Sequence, residues 1–206
     1  MPTMRLVHVV DDEPDIRRAL ALMLRAAGIE TRVYGSAEEY LAEVSINEPA
    51  CVLLDNRLPG LSGLDFQAEL SKANIDVPII FITGHGDIAM TVKAMKAGAV
   101  EFFSKPFRDQ DLLDAVKLAL EKDEAKRKFR KTSAAVRSRF ESLTPREQEV
   151  MSLVTTGLMN KQVAAEMGVS EITVKVHRGN VMRKMNANSL ADLVMIADML
   201  GIRRRT

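Results

Sequence analysis

The chain has 206 residues, of which 47% are hydrophobic, and its formal net charge at neutral pH is +1. Its apolar runs are far shorter than the about 20 residues that a membrane-spanning helix needs, and its first residues do not lead into the apolar core of a signal peptide. Length and composition therefore predict a cytosolic globular protein of one or two domains, with no membrane association.

Positive charge is concentrated in the carboxyl-terminal half of the chain. Residues 1–108 carry 11 basic and 15 acidic side chains, residues 109–140 carry 9 and 6, and residues 141–206 carry 9 and 7. Ordinary solvated surfaces also carry a surplus this modest. It therefore favours nucleic acid as a partner only together with a binding motif.

Four short apolar runs are typical of strands that are buried on both faces of a parallel sheet. They are Leu6–Val10, Cys51–Leu54, Ile79–Ile82 and Val100–Phe103. Helix starts are expected at Pro14, at Ser36 with Glu39, at Ser62 with Asp65, and near Asp87 and Asp109. This alternation predicts an α/β fold with a five-stranded parallel sheet, and the analogy with flavodoxin-like folds gives the strand order 2-1-3-4-5.

The four apolar runs end beside side chains that are suited to phosphoryl transfer. These are Asp11 and Asp12, then Asp55, then Thr83, then Lys105. Because parallel strands point the same way, all of them are expected at one edge of the sheet. Asp55 stands alone at its strand end and is the expected phosphoacceptor, since a carboxylate can form a covalent phosphoryl intermediate. Lys105 and Thr83 are expected to stabilise the charge of that group.

The acids of this pocket also predict a metal ion. Asp11, Asp12 and Asp55 would repel one another at close range unless a cation compensates their charge. Mg²⁺ prefers oxygen ligands and is typically held by one or two carboxylates together with phosphate oxygens and water. We therefore expect Mg²⁺ as the cofactor.

Residues 1–122 resemble the receiver domain of two-component response regulators. The resemblance rests on Asp11, Asp12, Asp55, Thr83, Lys105-Pro106, and Leu58-Pro59-Gly60 after the acceptor. It implies that a sensor histidine kinase phosphorylates Asp55, and that the three acids bind Mg²⁺ together with the backbone carbonyl of Arg57. It also implies that Phe102 is a switch residue, which turns inward when the domain is phosphorylated.

The chain changes character between the two ends of the polar stretch at residues 123–140. Basic side chains outnumber acidic ones there, and neither glycine nor proline interrupts the stretch. We therefore predict a charged helical linker. Such a linker can couple two domains rigidly or remain mobile, and the sequence does not favour either behaviour.

Residues 141–206 are predicted to form a small all-α domain of four helices. The helix signals are Thr144, Pro145 and Glu147 for the first helix, Gly157 and Gly168 as helix ends, and Ser170 and Ser189 as caps of the last two. A short helix, a tight turn with glycine and a longer helix are typical of a helix-turn-helix unit, whose second helix enters the DNA major groove.

The third of these helices is the expected recognition helix. Val174, Val181 and Met185 share one face and are expected in the core. The candidate DNA-binding residues are Thr173, Lys175, Val176, His177, Arg178, Gly179 and Arg183. Lys175 and Val176 are the expected base contacts, Val176 through a thymine methyl group, and the flanking cations are expected to meet phosphates. His177 is expected to pack against the core or to bind phosphate.

Residues 143–200 resemble the LuxR-type DNA-binding domain, and the whole chain resembles the NarL/FixJ family, above all its FixJ-like branch. The shared motifs are Thr144-Pro145-Arg146-Glu147, Asn160-Lys161, Thr173-Val174-Lys175, Thr83-Gly84-His85-Gly86-Asp87 and Asn186-Ala187-Asn188-Ser189-Leu190. Gly179 departs from the family, in which related regulators often have a basic residue at this position. The resemblance implies a transcriptional regulator that dimerises on phosphorylation through Val92 and Lys96. The dimer would then bind paired or inverted promoter half-sites, with RNA polymerase as a further partner.

Two other functions were weighed against this one. An aspartate-nucleophile phosphohydrolase is disfavoured, because it would need a second aspartate two residues after Asp55, where this chain has Arg57. A receiver with a protein-binding helical output domain would lack affinity for DNA. Neither the receiver nor the helical domain is expected to turn over a separate metabolite, so the chain is not expected to be an enzyme.

Overall fold

The computed structural model describes residues 5–44, 49–84 and 88–202. The predicted helix start near Asp87, and His85 and Gly86 of the motif after Thr83, lie outside these ranges. The described elements are β1 (Leu6–Val10), α1 (Pro14–Ala26), β2 (Glu30–Tyr34), α2 (Ala37–Glu43), β3 (Ala50–Asp55), α3 (Gly63–Lys72), β4 (Ile79–Thr83), α4 (Ile88–Lys96), β5 (Glu101–Ser104), α5 (Asp109–Glu141), α6 (Pro145–Val154), α7 (Asn160–Met167), α8 (Glu171–Met185) and α9 (Leu190–Leu200).

The first part of the chain forms one parallel sheet of five strands in the order β2-β1-β3-β4-β5. This confirms the predicted fold class and strand order. Strands β1, β3 and β4 are buried along their whole length, because helices cover both faces of the sheet. The edge strand β2 buries only Thr31 and Tyr34.

Two hydrophobic cores lie on the two faces of the sheet. One face packs against α2, α3 and α4 through residues such as Tyr40, Phe66 and Ala94. The other face packs against α1 and α5 through residues such as Leu24 and Val116. The strands are thus held from both sides, and the residues at their carboxyl ends stand on a rigid support.

Local capping explains where several helices begin. Pro14 occupies the start of α1. The Ser36 hydroxyl accepts a hydrogen bond from the backbone N–H of Glu39, and the Ser62 hydroxyl accepts one from that of Asp65. Each bond satisfies a backbone donor that the first turn of a helix leaves without a partner.

Helix α5 extends from the first compact unit into the second, and the division between the units falls between Arg127 and Lys128. The first unit therefore continues past the predicted boundary at residue 122. Asp123 is one reason: its buried carboxylate accepts hydrogen bonds from the backbone N–H of Ala50, at 2.9 Å, and from Arg127 Nε, at 2.5 Å. This turn of α5 is thus attached to the first residue of β3.

The second unit contains α6 to α9 and the last part of α5, which contributes Val136 to its core. The α6 capping box is present as predicted: Thr144 Oγ1 accepts from the Glu147 N–H, and the Glu147 carboxylate accepts from the Thr144 N–H. Gly168 ends α7 with a left-handed backbone, which glycine adopts without strain. Across the described ranges of the chain, no helix is both long and apolar enough to cross a membrane.

Candidate functional site

The sheet brings the predicted phosphoryl-transfer residues to one edge. Asp11 follows β1 directly, Asp55 and Thr83 are the last residues of β3 and β4, and Lys105 follows β5. The strand register places Asp55 beside Ile82 and Thr83 beside Ser104, so these ends are level with one another. Four positions that are distant in sequence therefore form one pocket, as the sequence predicts.

Lys105 is the centre of this pocket. Its ammonium Nζ lies 3.2 Å from Asp11 Oδ2 and 3.3 Å from Asp55 Oδ1, with Glu13 Oε1 farther away at 3.9 Å. Only 2% of Asp11 and 7% of Asp55 is exposed, so water screens these ion pairs weakly. The cation compensates the two carboxylates that would otherwise repel each other.

Backbone donors hold the remaining oxygen of each carboxylate. Asp55 Oδ2 accepts a hydrogen bond from the Arg57 N–H at 2.6 Å, and Asp11 Oδ1 accepts one from the Glu13 N–H at 2.8 Å. Both acids are therefore held at one oxygen by backbone and at the other by Lys105. The two Lys105-facing oxygens point into a common space, which fixes the direction from which a phosphoryl group can approach Asp55.

The electrostatics of the pocket follow from burial and charge. Burial raises the pKa of Asp11 above its ordinary value, while the Glu13 N–H and Lys105 act in the opposite direction. Burial pulls the pKa of Lys105 down, but the charges of Asp11 and Asp55 outweigh it, and the pKa lies above its ordinary value. Lys105 is thus firmly cationic at neutral pH.

The β5–α5 connection orients Lys105. Its backbone N–H donates to the carbonyl of Thr83 at 2.7 Å, which joins the ends of β4 and β5. The peptide bond between Lys105 and Pro106 is cis, a point that the sequence alone left open. The side chain of Thr83 is completely buried at this edge.

The residues present suit a magnesium ion. In the described part of the chain, no three side chains of the His, Cys, Asp and Glu types are grouped closely enough to hold a metal. The buried donors are instead two carboxylates, Asp11 and Asp55, with Asp12 exposed next to them. Two carboxylates, completed by a carbonyl, water and phosphate oxygens, are the kind of oxygen set that Mg²⁺ takes.

The predicted switch aromatic lies on β5. Phe102 is partly buried and stacks on Phe81, with ring centroids 6.1 Å apart and an interplanar angle of 26°. Phe81 belongs to β4, which ends at Thr83. The aromatic pair thus connects the strand that carries the threonine with the strand that precedes Lys105.

Sequence reasoning missed how closely Gly63 approaches the phosphoacceptor. A Cβ atom at this position would lie 2.9 Å from Phe81 Cε1, 3.0 Å from the Asn56 Cα and 3.1 Å from the Asp55 carbonyl oxygen. The helix cap at Ser62 predicted where α3 begins, but it could not show that the helix starts against the backbone of the acceptor.

The predicted dimerisation residues lie on α4 and are exposed. Val92 is 44% exposed, and Lys96 lies one turn later. Ile88 and Met95, which are 85% and 40% exposed, add apolar surface on the same helix. Among the described residues α4 therefore leaves an apolar surface open to solvent.

The recognition helix α8 presents some of the predicted DNA-binding residues and holds others back. Lys175, Gly179 and Arg183 are exposed, and Val176 is 59% exposed. Thr173 is partly buried, with its hydroxyl 2.8 Å from that of Ser170. His177 is also partly buried, as expected for a packed side chain.

Arg178 differs from the other predicted DNA contacts. Its Nη1 donates to Asn160 Oδ1 at 2.9 Å, and the side chain is only partly exposed. A second polar contact lies farther along α8, where Lys184 Nζ is 2.6 Å from Glu147 Oε2. The charged partner helps to hold the pKa of Glu147 below its ordinary value.

Comparison with known proteins agrees with both sites. Residues 7–117 match the family described as response regulator receiver domain, and residues 141–197 match the one described as bacterial regulatory proteins, luxR family. Nodulation protein W of Bradyrhizobium diazoefficiens is 58% identical over 97% of this chain and 88% of its own length. The transcriptional regulatory protein FixJ of Rhizobium meliloti is 42% identical over 93% of this chain and 94% of its own.

A solved structure extends this agreement to the fold. The response regulator StyR is 46% identical, covers 95% of this chain and 98% of its own, and superposes with a TM-score of 0.88. Receiver and LuxR-type matches occur in the same order as the two compact units of the structure. The chain therefore belongs to the NarL/FixJ-type response regulators of two-component systems, with a receiver domain followed by a LuxR-type DNA-binding domain.

Proposed function

We propose that this chain is a transcription regulator whose promoter binding is switched by phosphorylation of Asp55. The observation that carries the proposal is the buried Asp55 carboxylate, held by Lys105 at one oxygen and by a backbone N–H at the other. This arrangement fixes one nucleophilic oxygen next to a cation that can neutralise an incoming phosphoryl group. A sensor histidine kinase is the expected phosphodonor.

Asp11, Asp12 and Asp55, with the backbone carbonyl of Arg57, would hold Mg²⁺ in this pocket. When bound, the ion neutralises phosphoryl oxygens as charge develops on them. Lys105 binds the same group from the other side, and Thr83 donates its hydroxyl to it. The backbone N–H groups of Arg57 and Glu13 keep the two buried carboxylates in place throughout.

Phosphorylation would act on the fold through charge. It adds about 1.5 to 2 negative charges to a pocket that already contains two buried carboxylates. Recruitment of Thr83 and Lys105 to the new group would pull on the ends of β4 and β5, and the stacked Phe102 would repack with them. This change would reach α4, where Val92 and Lys96 are exposed and available for dimerisation.

The second domain supplies the output. Exposed Lys175 and Val176 on α8 would contact base edges, and Arg183 would contact phosphate. Two receivers joined as a dimer would bring two such helices to paired or inverted half-sites, which increases affinity through effective concentration. RNA polymerase is the further partner expected for such a regulator.

The test uses the full-length protein with Mg²⁺ and acetyl phosphate as the phosphodonor. We expect the wild type to shift toward a dimer in light scattering and to bind promoter DNA more tightly, and we expect Asp55→Asn to do neither. Asp15→Asn, which removes an exposed carboxylate from the first turn of α1, is the matched control and should respond like the wild type. The proposal fails if Asp55→Asn retains both responses.

The same samples separate the proposal from its rivals. A phosphohydrolase would release phosphate from added phosphomonoesters over many turnovers, and we expect no such release. A protein-binding output domain would show no salt-dependent affinity for any promoter fragment. The exposed basic and apolar side chains of α8 favour DNA instead.

A further inference from the structure

We infer that Arg178 is a positioning residue, which fixes the recognition helix α8 on α7 through Asn160, and that it does not contact DNA phosphate. The inference rests on the proposed DNA binding of this domain. It assigns to an arginine of the recognition helix a role that its sequence position conceals.

The place of Arg178 on the helix supports this role. It lies four residues after Val174 and three before Val181, and both valines are completely buried. Residues at these spacings share one face of an α-helix. Arg178 therefore belongs to the stripe of α8 that faces the core, whereas exposed Val176 and Arg183 lie on the opposite side.

The contact made by its guanidinium points in the same direction. Arg178 Nη1 donates to Asn160 Oδ1 at 2.9 Å, and neither residue is fully exposed. Asn160 is the first residue of α7. The arginine stem thus runs along the core side of α8, and its head is bonded to the start of the preceding helix.

A second bridge holds α8 at its other end. Lys184 Nζ lies 2.6 Å from Glu147 Oε2 and donates to the carbonyl of Ser142 at 3.3 Å. Glu147 is 3% exposed and also accepts from the backbone N–H of Thr144. The two bridges attach α8 to the first residue of α7 and to the first turn of α6, and together they fix its rotation and tilt.

This geometry predicts a particular functional effect. Base recognition requires side chains placed to within about 0.5 Å and 10–20° of the productive geometry. Loss of a positioning residue should therefore weaken binding to the preferred sequence while binding to other DNA is unchanged. Loss of a phosphate contact should instead weaken binding to all DNA and reduce the slope of log affinity against log salt by about 0.9.

The experiment uses the full-length protein treated with acetyl phosphate and Mg²⁺. Its two probes are a duplex that the wild type enriches from a random-sequence pool and a duplex of the same composition in shuffled order. The variants are Arg178→Met, Asn160→Ala and their combination. Arg183→Met, which changes an exposed arginine on the opposite side of α8, is the matched control.

We expect Arg178→Met to lower affinity for the enriched duplex by about three- to ten-fold, as the loss of one hydrogen bond allows, with an unchanged salt slope and unchanged affinity for the shuffled duplex. Asn160→Ala should do the same, and the double variant should be no worse than either single one. Asn160→Asp keeps an acceptor for the guanidinium and should bind like the wild type. Arg183→Met should weaken binding to both duplexes and lower the slope.

Three results would overturn the inference. The first is a lower salt slope in Arg178→Met with equal losses on both duplexes, and the second is additive losses in the double variant. The third is a loss that disappears once the affinities are corrected for the folded fraction measured by thermal unfolding. If the wild type enriches no sequence at all, the proposed DNA binding itself fails, which is a different outcome from an Arg178→Met variant that behaves like Arg183→Met.

Discussion

His8 should make the receiver domain sensitive to acid, although it takes no part in phosphoryl transfer. It lies in β1, is completely buried, and has Nδ1 3.2 Å from the Tyr34 hydroxyl. The ring of Tyr40 packs against it edge-on, with centroids 5.3 Å apart. Burial, and to a lesser extent the charge of Arg32, lowers the pKa of His8 from 6.5 to about 4.

The size of the effect follows from this difference in pKa. Each pKa unit corresponds to about 1.4 kcal/mol, so the neutral form of His8 supports about 3 kcal/mol of stability that protonation removes. The unfolded chain takes up the proton near pH 6.5, whereas the folded chain takes it up only near pH 4. The contribution is therefore fully present above pH 6.5 and is lost as the pH falls toward 4.

The assay is urea unfolding of the full-length protein at pH 7 and pH 5. Tyrosine fluorescence reports on the receiver specifically, because the chain has two tyrosines and no tryptophan, and both Tyr34 and Tyr40 contact His8. Between these pH values the wild type should lose about 2 kcal/mol more than His8→Phe, which keeps a ring but cannot take up a proton. Equal losses in the two proteins would refute the reasoning.

Three further predictions concern other parts of the molecule. Gly63→Ala should cost about 1–3 kcal/mol in urea unfolding and slow phosphorylation by acetyl phosphate, since its Cβ would press on the backbone of Asp55; a wild-type rate would contradict this. Asp123→Ala should destabilise the receiver by about 1.5–3 kcal/mol in the same assay, because it leaves the buried N–H of Ala50 without its charged acceptor. Gly179→Lys should raise the salt slope of DNA binding by about 0.9, because no atom lies within 4 Å of its Cβ position; an unchanged slope would place position 179 away from the DNA backbone.

The receiver was largely predictable from sequence because its central strands are short apolar runs that end on chemically distinctive residues. Period and strand ends together identified the sheet and its phosphoacceptor edge. The edge strand β2 gave no such signal, since only Thr31 and Tyr34 of its five residues are buried. Its presence followed only from the alternation of strands and helices.

Contacts between residues that are distant in sequence were not predictable in the same way. The bond from Asp123 to the Ala50 N–H spans 73 positions, and nothing in the local sequence marks either partner. Arg178 was placed among the DNA contacts because arginines on recognition helices commonly meet phosphates. Its spacing from Val174 and Val181 carried the opposite information, and the bond to Asn160 makes that visible.

The central claim is that phosphorylation of Asp55 controls DNA binding. Its most direct test is to measure, on the same series of partly phosphorylated samples, the fraction modified at Asp55 by peptide mass mapping and the affinity for a promoter duplex. The account predicts that affinity rises with the modified fraction and that Asp55→Asn stays at the unmodified level. Full modification of Asp55 with no change in affinity would contradict it.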